Sequence, residues 1–268
     1  MISVVILTLN EQQDLPGCLD SLQWADDIHI VDSGSIDLTL DIAKRRHAKI
    51  YYNKFTGFGD QRNWSLENCT LKYDWILFLD ADERSTPAFE ESLASNIHFA
   101  SSEATGFYLC SKTILNNTWL RYSDNFPKWQ FRLVKKYRGS FVNSGHGQKE
   151  CGDVKHIEYI DEPYIHLAFS KGWKYWHEKH KQYAINDAKQ VLDSAISPMA
   201  ILSSAGSQRN LAIKSFVRRF PLWPYIRFVA TYIFQKGFLD GKNGFLYCKK
   251  ILWYEKRIKH EMNKRLLS

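Results

Sequence analysis

The sequence predicts an α/β fold, a doubly wound and mostly parallel central sheet with a C-terminal helical extension, and three observations predict it. Buried-strand runs alternate with helical segments four times within the first hundred residues, as parallel α/β units require. Two of these strands end in acidic turns, Asp32-Ser33-Gly34-Ser35 and Asp80-Ala81-Asp82-Glu83, at the carboxyl edge where such sheets bind ligands. From Lys171 onward the chain reads as helix, punctuated by proline and glycine.

Ile2 to Leu9 is a continuous β-branched, apolar run, as in a strand covered on both faces. Asp14, Leu15 and Pro16 start a helix whose stripe is Leu15, Leu19 and Leu22. Asp27 to Val31 is the second strand, Asp37 caps a helix to about Arg46, and Ala48 to Tyr52 is the third strand. A loop from Asn53 to Asp60 and a helix from about Gln61 to Asn68 lead to the buried strand Asp74 to Leu79; Thr86-Pro87 then starts a helix to about Phe99. Extended segments follow at Thr105 to Leu115, Trp129 to Lys136, His156 to Ile160 and Tyr164 to Phe169, a mixed edge of the same sheet. Helices are expected at Lys171 to Asp193, Gln208 to Arg219, Trp223 to Phe238 and Gly244 to Lys264. The division is a catalytic domain over 1–170 and a basic, aromatic helical region over 171–268, the latter for acceptor or membrane association.

With 268 residues, 44% hydrophobic and 24% charged, the chain is too apolar to be disordered. Its five cysteines are scattered and form no CxxC pair, which excludes a disulfide scaffold or zinc knot and suits reduced thiols in the cytosol. The N-terminus lacks signal-peptide features, and no segment approaches roughly 18 uninterrupted apolar residues, so a cytoplasmic protein without a spanning helix is expected. Ser207 to Ser268 holds 14 Lys or Arg against 3 Asp or Glu, or +11, and the remainder is 22 minus 26, or −4. Twelve aromatics are interleaved with those cations. Two readings stand open: peripheral attachment to an anionic membrane surface, or a helical hairpin with a solvated basic face. No nucleic-acid motif accompanies the basic stretch, so nucleic acid is not an expected partner.

Asp80 and Asp82, one residue apart after a buried strand, can aim carboxylates at one hard cation, Mg²⁺ or Mn²⁺, which keeps positions open for diphosphate oxygens. A solvated turn is the alternative reading of the same pair. Asp32 can accept from a base imide or ribose hydroxyl, with Ser33 and the following Gly34-Ser35 letting backbone approach. These turns occur with Thr8-Leu9-Asn10-Glu11, Gly57-Phe58-Gly59-Asp60-Gln61-Arg62-Asn63, Trp129-Gln130-Phe131-Arg132-Leu133, Gly145-His146-Gly147-Gln148 and Gly237-Phe238-Leu239-Asp240-Gly241. In that order and spacing the chain resembles the family 2 inverting glycosyltransferases, most closely the branch that builds lipopolysaccharide core and related envelope glycans.

The resemblance implies a Rossmann-like GT-A fold, a UDP-sugar donor with a divalent metal, and a saccharide or glycolipid acceptor at the inner face of the cytoplasmic membrane. It implies that Asn10, Glu11, Asp32, Ser33, Arg62 and Asp80 bind the nucleotide and diphosphate, that Asp80, Asp82 and His146 serve the metal, and that Arg132 faces the sugar or diphosphate. Relatives often carry Pro-Asp before the aromatic-Gln-x-Arg segment, whereas this chain has Pro127-Lys128, so an expected carboxylate is missing. For the base that takes the acceptor proton, Asp124 is favoured over Glu150 and His146, and Lys128 could bind an acceptor phosphate. Two other classes compete: a haloacid-dehalogenase-type phosphatase, disfavoured by Arg84 where Thr or Val is needed, and a non-catalytic membrane adaptor on a transferase scaffold.

Overall fold

The computed structural model describes residues 1–144, 147–151, 156–193 and 206–267. The chain divides into two compact units, Met1–Asn117 with Phe126–Ser170, and Thr118–Asn125 with Lys171–Ser268.

In the first unit β1 (Ile2–Thr8), α1 (Leu15–Asp20), β2 (Ile28–Asp32), α2 (Thr39–Arg45), β3 (Lys49–Tyr52), α3 (Phe58–Asn68) and β4 (Trp75–Asp80) alternate as the sequence predicts. They are followed by β5 (Glu83–Arg84), α4 (Pro87–Phe99) and β6 (Gly106–Leu115). The short β7 (Thr118–Trp119) belongs to the second unit; β8 (Gln130–Lys135), β9 (Ser140–Ser144), β10 (Gly147–Cys151) and β11 (Ile157–His166) complete the first. The sheet runs β3-β2-β1-β4-β8-β6-β11-β5. Its first four strands are parallel, β8 is antiparallel to both neighbours, and β11 is parallel to β6.

Val4, Val5 and Ile6 of β1 are fully buried and point alternately into two apolar clusters, one with Leu15, Ile30 and Leu77, the other with Val31, Phe78 and Phe141. Each such aliphatic side chain contributes about 1.5–3 kcal/mol by leaving water. Register pairs Thr8 with Asp32 and Leu7 with Asp80, so both acidic turns leave the sheet at one end, on either side of β1. At the opposite end Asp27 is buried and accepts from Ser3 Oγ (2.6 Å), His29 Nε2 (2.9 Å), Lys49 Nζ (2.8 Å) and the Lys72 backbone N–H (2.9 Å). The hairpin β9–β10, which the sequence left unassigned, forms a separate two-stranded sheet tied to α3. Asn63 and Phe141 exchange two hydrogen bonds of 2.8 Å, and a Cβ on Gly59 would lie 2.8 Å from the Val142 carbonyl carbon.

The second unit holds α5 (Gly172–Asp193), α6 (Gly206–Arg218), α7 (Trp223–Val229), a π turn (Ala230–Phe234), a 3₁₀ turn (Gly237–Asp240) and α8 (Gly241–Leu267). The single helix expected over Trp223 to Phe238 is therefore corrected to three pieces. Lys236 takes a left-handed conformation (φ 61°), and Gly237 passes so close to Thr231 that a Cβ would sit 2.8 Å from its carbonyl oxygen. Asp240 then accepts from Ser123 N (2.7 Å) and Oγ (2.6 Å), binding residues 118–125 into this unit. Arg218, buried, bridges Asp187 (3.1 Å) and Glu255 (3.1 Å). No helix of the described residues is long and apolar enough to cross a membrane.

Candidate functional site

The loops after β1, β2 and β3 are laced together by side chains that the sequence placed at strand ends. Asp32 is 2% exposed, and its carboxylate accepts from Thr8 Oγ1 (2.9 Å), Ser35 Oγ (2.5 Å) and the backbone N–H groups of Gly34 and Ser35 (2.8 Å each). Asn10, with φ 56°, donates its N–H to Ser35 Oγ (2.8 Å) and accepts from Ile36 N (2.9 Å), while Glu11 N donates to Thr39 Oγ1 (2.7 Å). Ser33 Oγ receives Gln61 Nε2 (3.1 Å), and the fully buried Gln61 also accepts from Asn53 (2.8 Å). Asn10, Glu11, Asp32 and Ser33 are thereby gathered into one preorganised rim.

At the end of β4 the Asp80 carboxylate is clamped by two guanidinium groups. Arg132 reaches Oδ1 at 3.2 Å and Oδ2 at 2.8 Å, and Arg62 reaches Oδ1 at 3.3 Å. Arg132 also donates to Glu83 (3.0 Å) and is oriented by Gln130 (2.9 Å), while Glu83 accepts the Asp80 backbone N–H (2.8 Å). Arg62 lies buried among the rings of Phe58, Phe78 and Phe141, 5.6 to 5.9 Å from their centres. Burial, with the Arg132 charge added, lowers Arg62 to about 10, so it stays cationic near neutrality. Burial works to raise Asp80, but Arg132 and Arg62 outweigh it and hold this carboxyl well below the usual range. Glu83 goes the other way: burial, reinforced by the Asp80 charge and opposed by Arg132, pushes it up to about 7.

Asp82 faces a different partner. Its carboxylate lies 3.5 Å from His166 Nε2 at the end of β11, and its carbonyl accepts from Leu167 N (2.8 Å). Burial disfavours the charged imidazole, yet Asp82 foremost, and then Glu83 and Asp80, hold His166 above its ordinary range. Both side chains remain about a quarter exposed. A carboxylate oxygen suits Mg²⁺ or Mn²⁺, and an imidazole nitrogen beside it suits the softer Mn²⁺ better than Mg²⁺, so the residues present fit a divalent cation of the Mn²⁺ type that keeps positions for diphosphate and water. Among the described residues no group of three or more His, Cys, Asp or Glu gathers as a metal centre. Asp80, expected to share the cation with Asp82, has both oxygens on guanidinium groups instead.

Tyr108 on β6 stacks on the half-exposed Tyr159 (5.0 Å between centres), which meets the edge of Trp129, and burial together with the Glu150 carboxylate on β10 pushes the Tyr108 hydroxyl above its ordinary range. Asp124 lies in the second unit, 6% exposed, and accepts a short hydrogen bond from the Tyr247 hydroxyl. His146 lies outside the described residues. Arg84 closes the acidic turn by donating to the carbonyls of Ala81 (2.7 Å), Glu83 (2.8 Å) and Asp14 (2.9 Å). Sequence reasoning missed Gln61, Glu83 and His166; for His166 the available signal was its place at the carboxyl end of an extended segment.

Residues 3–148 match the family model described as glycosyl transferase family 2. The lipopolysaccharide core biosynthesis glycosyltransferase LpsC of Rhizobium meliloti is 28% identical over 145 residues, covering 52% of this chain and 53% of its own length. An uncharacterised glycosyltransferase of Rickettsia bellii is 33% identical over 148 residues, with 53% and 49% covered. The chain spans about half the length of the curated relatives it matches. Among solved structures, S. aureus TarS 1-349 shares 12% identity at a TM-score of 0.46, covering 97% of this chain and 91% of that one. Glucosyl-3-phosphoglycerate synthase from Mycobacterium tuberculosis, solved with Mn²⁺, UDP and glucosyl-3-phosphoglycerate, shares 16% at a TM-score of 0.48, covering 72% and 79%. The family match leaves the haloacid-dehalogenase and adaptor alternatives without support.

Proposed function

The chain belongs to glycosyl transferase family 2 and has its GT-A fold, and from that premise we propose that it is an inverting hexosyltransferase. It takes a sugar from a UDP donor and places it on a lipopolysaccharide-core or lipid-linked glycan. The observation that carries the reading is the strand-end arrangement: Asp82 beside His166, next to an Asp80 carboxylate clamped by Arg132 and Arg62. The likeness to LpsC over half its length supports the envelope-glycan acceptor.

In this reading Asn10, Glu11, Asp32, Ser33 and Arg62 shape the nucleotide pocket, already locked before the donor arrives. Asp82 and His166 would hold a divalent cation, Mn²⁺, or Mg²⁺ through the Asp82 carboxylate alone, which would supply neutralisation of the charge on the departing diphosphate. Arg132, 3% exposed, acts through its partners: it keeps Asp80 ionised and fixes the turn that presents Asp82. Asp124 takes the proton of the acceptor hydroxyl as its oxygen attacks the anomeric carbon opposite the leaving group, with Glu150 and His146 as the other candidates. Lys128 binds a phosphate on an anionic acceptor. The protein works at the inner face of the cytoplasmic membrane, where a cytosolic donor meets a lipid-linked acceptor.

A panel of nucleotide sugars assayed for metal-dependent turnover tests this. Asp82→Asn and His166→Asn should each lower turnover by about a hundredfold or more while leaving the fold intact, a loss typical of removing electrostatic stabilisation of a leaving group. Near-normal turnover in Asp82→Asn removes the cation role. Of Asp124→Asn and Glu150→Gln, the base variant loses kcat with the donor KM unchanged.

A further inference from the structure

We propose that the segment from Phe220 to Leu239 in the second unit is a wedge that enters the headgroup layer of an anionic lipid bilayer. This gives the membrane attachment proposed above a surface of its own, and it does not depend on the donor chemistry. Leu222, Ile226, Val229 and Ile233 are 65%, 52%, 41% and 54% exposed. Their spacing of four, three and four residues sets them on one side of α7 and the π turn. A helix that packs on a protein core buries such a stripe; here it is bare, and Phe234 beyond it is 79% exposed.

An aromatic cluster continues the apolar area. Phe228 stacks on Tyr232 (5.8 Å), and Tyr232 meets Phe245 (5.5 Å) and Phe238 (6.3 Å). Cations stand at its margin, with Lys249 at 5.6 Å over Phe245 and Lys256 at 4.6 Å over Tyr225. From Arg219 to Lys256 there are seven Lys or Arg and two acids, or +5. Both acids are buried and bonded internally, Asp240 to Ser123 and Glu255 to Arg218. Within this segment the exposed residues therefore present hydrocarbon and positive charge, and its two acids are turned inward.

That combination selects the occupant. A second copy of the chain docked symmetrically would set like charges against each other. A nucleic acid offers no hydrocarbon for Leu222, Ile226, Val229 and Ile233. An anionic bilayer supplies hydrocarbon beneath and negative headgroups above, and tyrosine suits the level between.

The test is flotation of the full chain with vesicles of mixed phosphatidylglycerol and phosphatidylethanolamine, against phosphatidylcholine alone. The protein should float with the anionic vesicles at low salt. It should be released at high salt, where screening shortens from about 10 Å at 0.1 M to about 3 Å at 1 M. The double variant Ile226→Ser with Phe234→Ser, both exposed and so neutral for folding, should bind tenfold or more weakly, and Lys249→Gln on the order of fivefold more weakly. Absence of flotation, equal flotation on both lipids, or an unchanged double variant overturns the proposal. So does a dimer in ultracentrifugation that the double variant dissolves, since the stripe would then belong to a second copy. The thermal shift induced by UDP-glucose and UDP-galactose with Mn²⁺, read on the same protein, separates the two claims. Donor binding without flotation sinks the wedge alone, and flotation without donor binding sinks the transferase reading alone.

Discussion

Arg132 holds two carboxylates at once, and its removal should be felt first as stability. Arg132→Met leaves the buried Glu83 without its guanidinium, beside an Asp80 that is part-exposed and keeps only Arg62, a loss of about 3–5 kcal/mol for breaking a buried pair from one side, readable by urea unfolding. Arg132→Lys keeps the charge but not the two-pronged grip, so it should fold and yet lose donor turnover by tenfold or more. Asp27 and His29 set the acid limit of the first unit. Burial opposes ionisation of Asp27, but Lys49, Ser3, His29 and the Lys72 N–H hold its carboxyl well below the usual range. A depressed folded pKa gives stability that is present above the ordinary carboxylate range and lost as pH falls through the folded value. His29 is lowered by burial although Asp27 pulls the other way, so charging it below about pH 6.5 also favours the unfolded chain. The stability difference between wild type and Asp27→Asn, about 3 kcal/mol at pH 7 by urea unfolding, should therefore shrink as the pH is taken below about 4. The sequence marked Asp32, Asp80, Asp82, Arg62 and Arg132 because each sits in a strand-end turn or a recognised local pattern. It could not mark the bond of Asp82 to His166 or of Arg132 to Glu83, which register across the sheet makes between distant segments.

At the scale of elements, the strands and helices up to α4 stand within a few residues of their expected bounds because each is written in local code. The run Ile2 to Leu9 reads as a buried strand, and Thr86 with Pro87 starts α4, Thr86 Oγ1 accepting from Phe89 N at 3.2 Å. Thr86→Ala should lower stability by about 1 kcal/mol in a thermal melt. The hairpin β9–β10 escaped because its residues are mostly half-buried and carry no apolar alternation. The break after α7 escaped for another reason: its cause is the close approach of separate turns, with a Gly244 Cβ falling 2.2 Å from the Gly237 carbonyl oxygen. Gly59 has the same logic within the first unit. Gly59→Val should force α3 and β9 apart and cost on the order of 1–3 kcal/mol, with donor affinity falling because Gln61 and Arg62 lie on the same turn of α3.

Across the whole chain, charge is divided as +11 over Ser207 to Ser268 and −4 elsewhere. That division matches the two proposed roles, acidic strand ends that hold a cation against a diphosphate and a basic, aromatic helical region suited to an anionic surface. The family match covers the first of these and stops at residue 148, so the second rests on the exposed face of the helical unit alone. The most direct test of the donor site is calorimetric titration of UDP into the protein with Mn²⁺ and again with the metal chelated, for wild type and Asp82→Asn. Binding that needs Mn²⁺ in the wild type, and that weakens at least tenfold in Asp82→Asn, is the predicted result; equal affinity with and without metal, indifferent to Asp82, would contradict it.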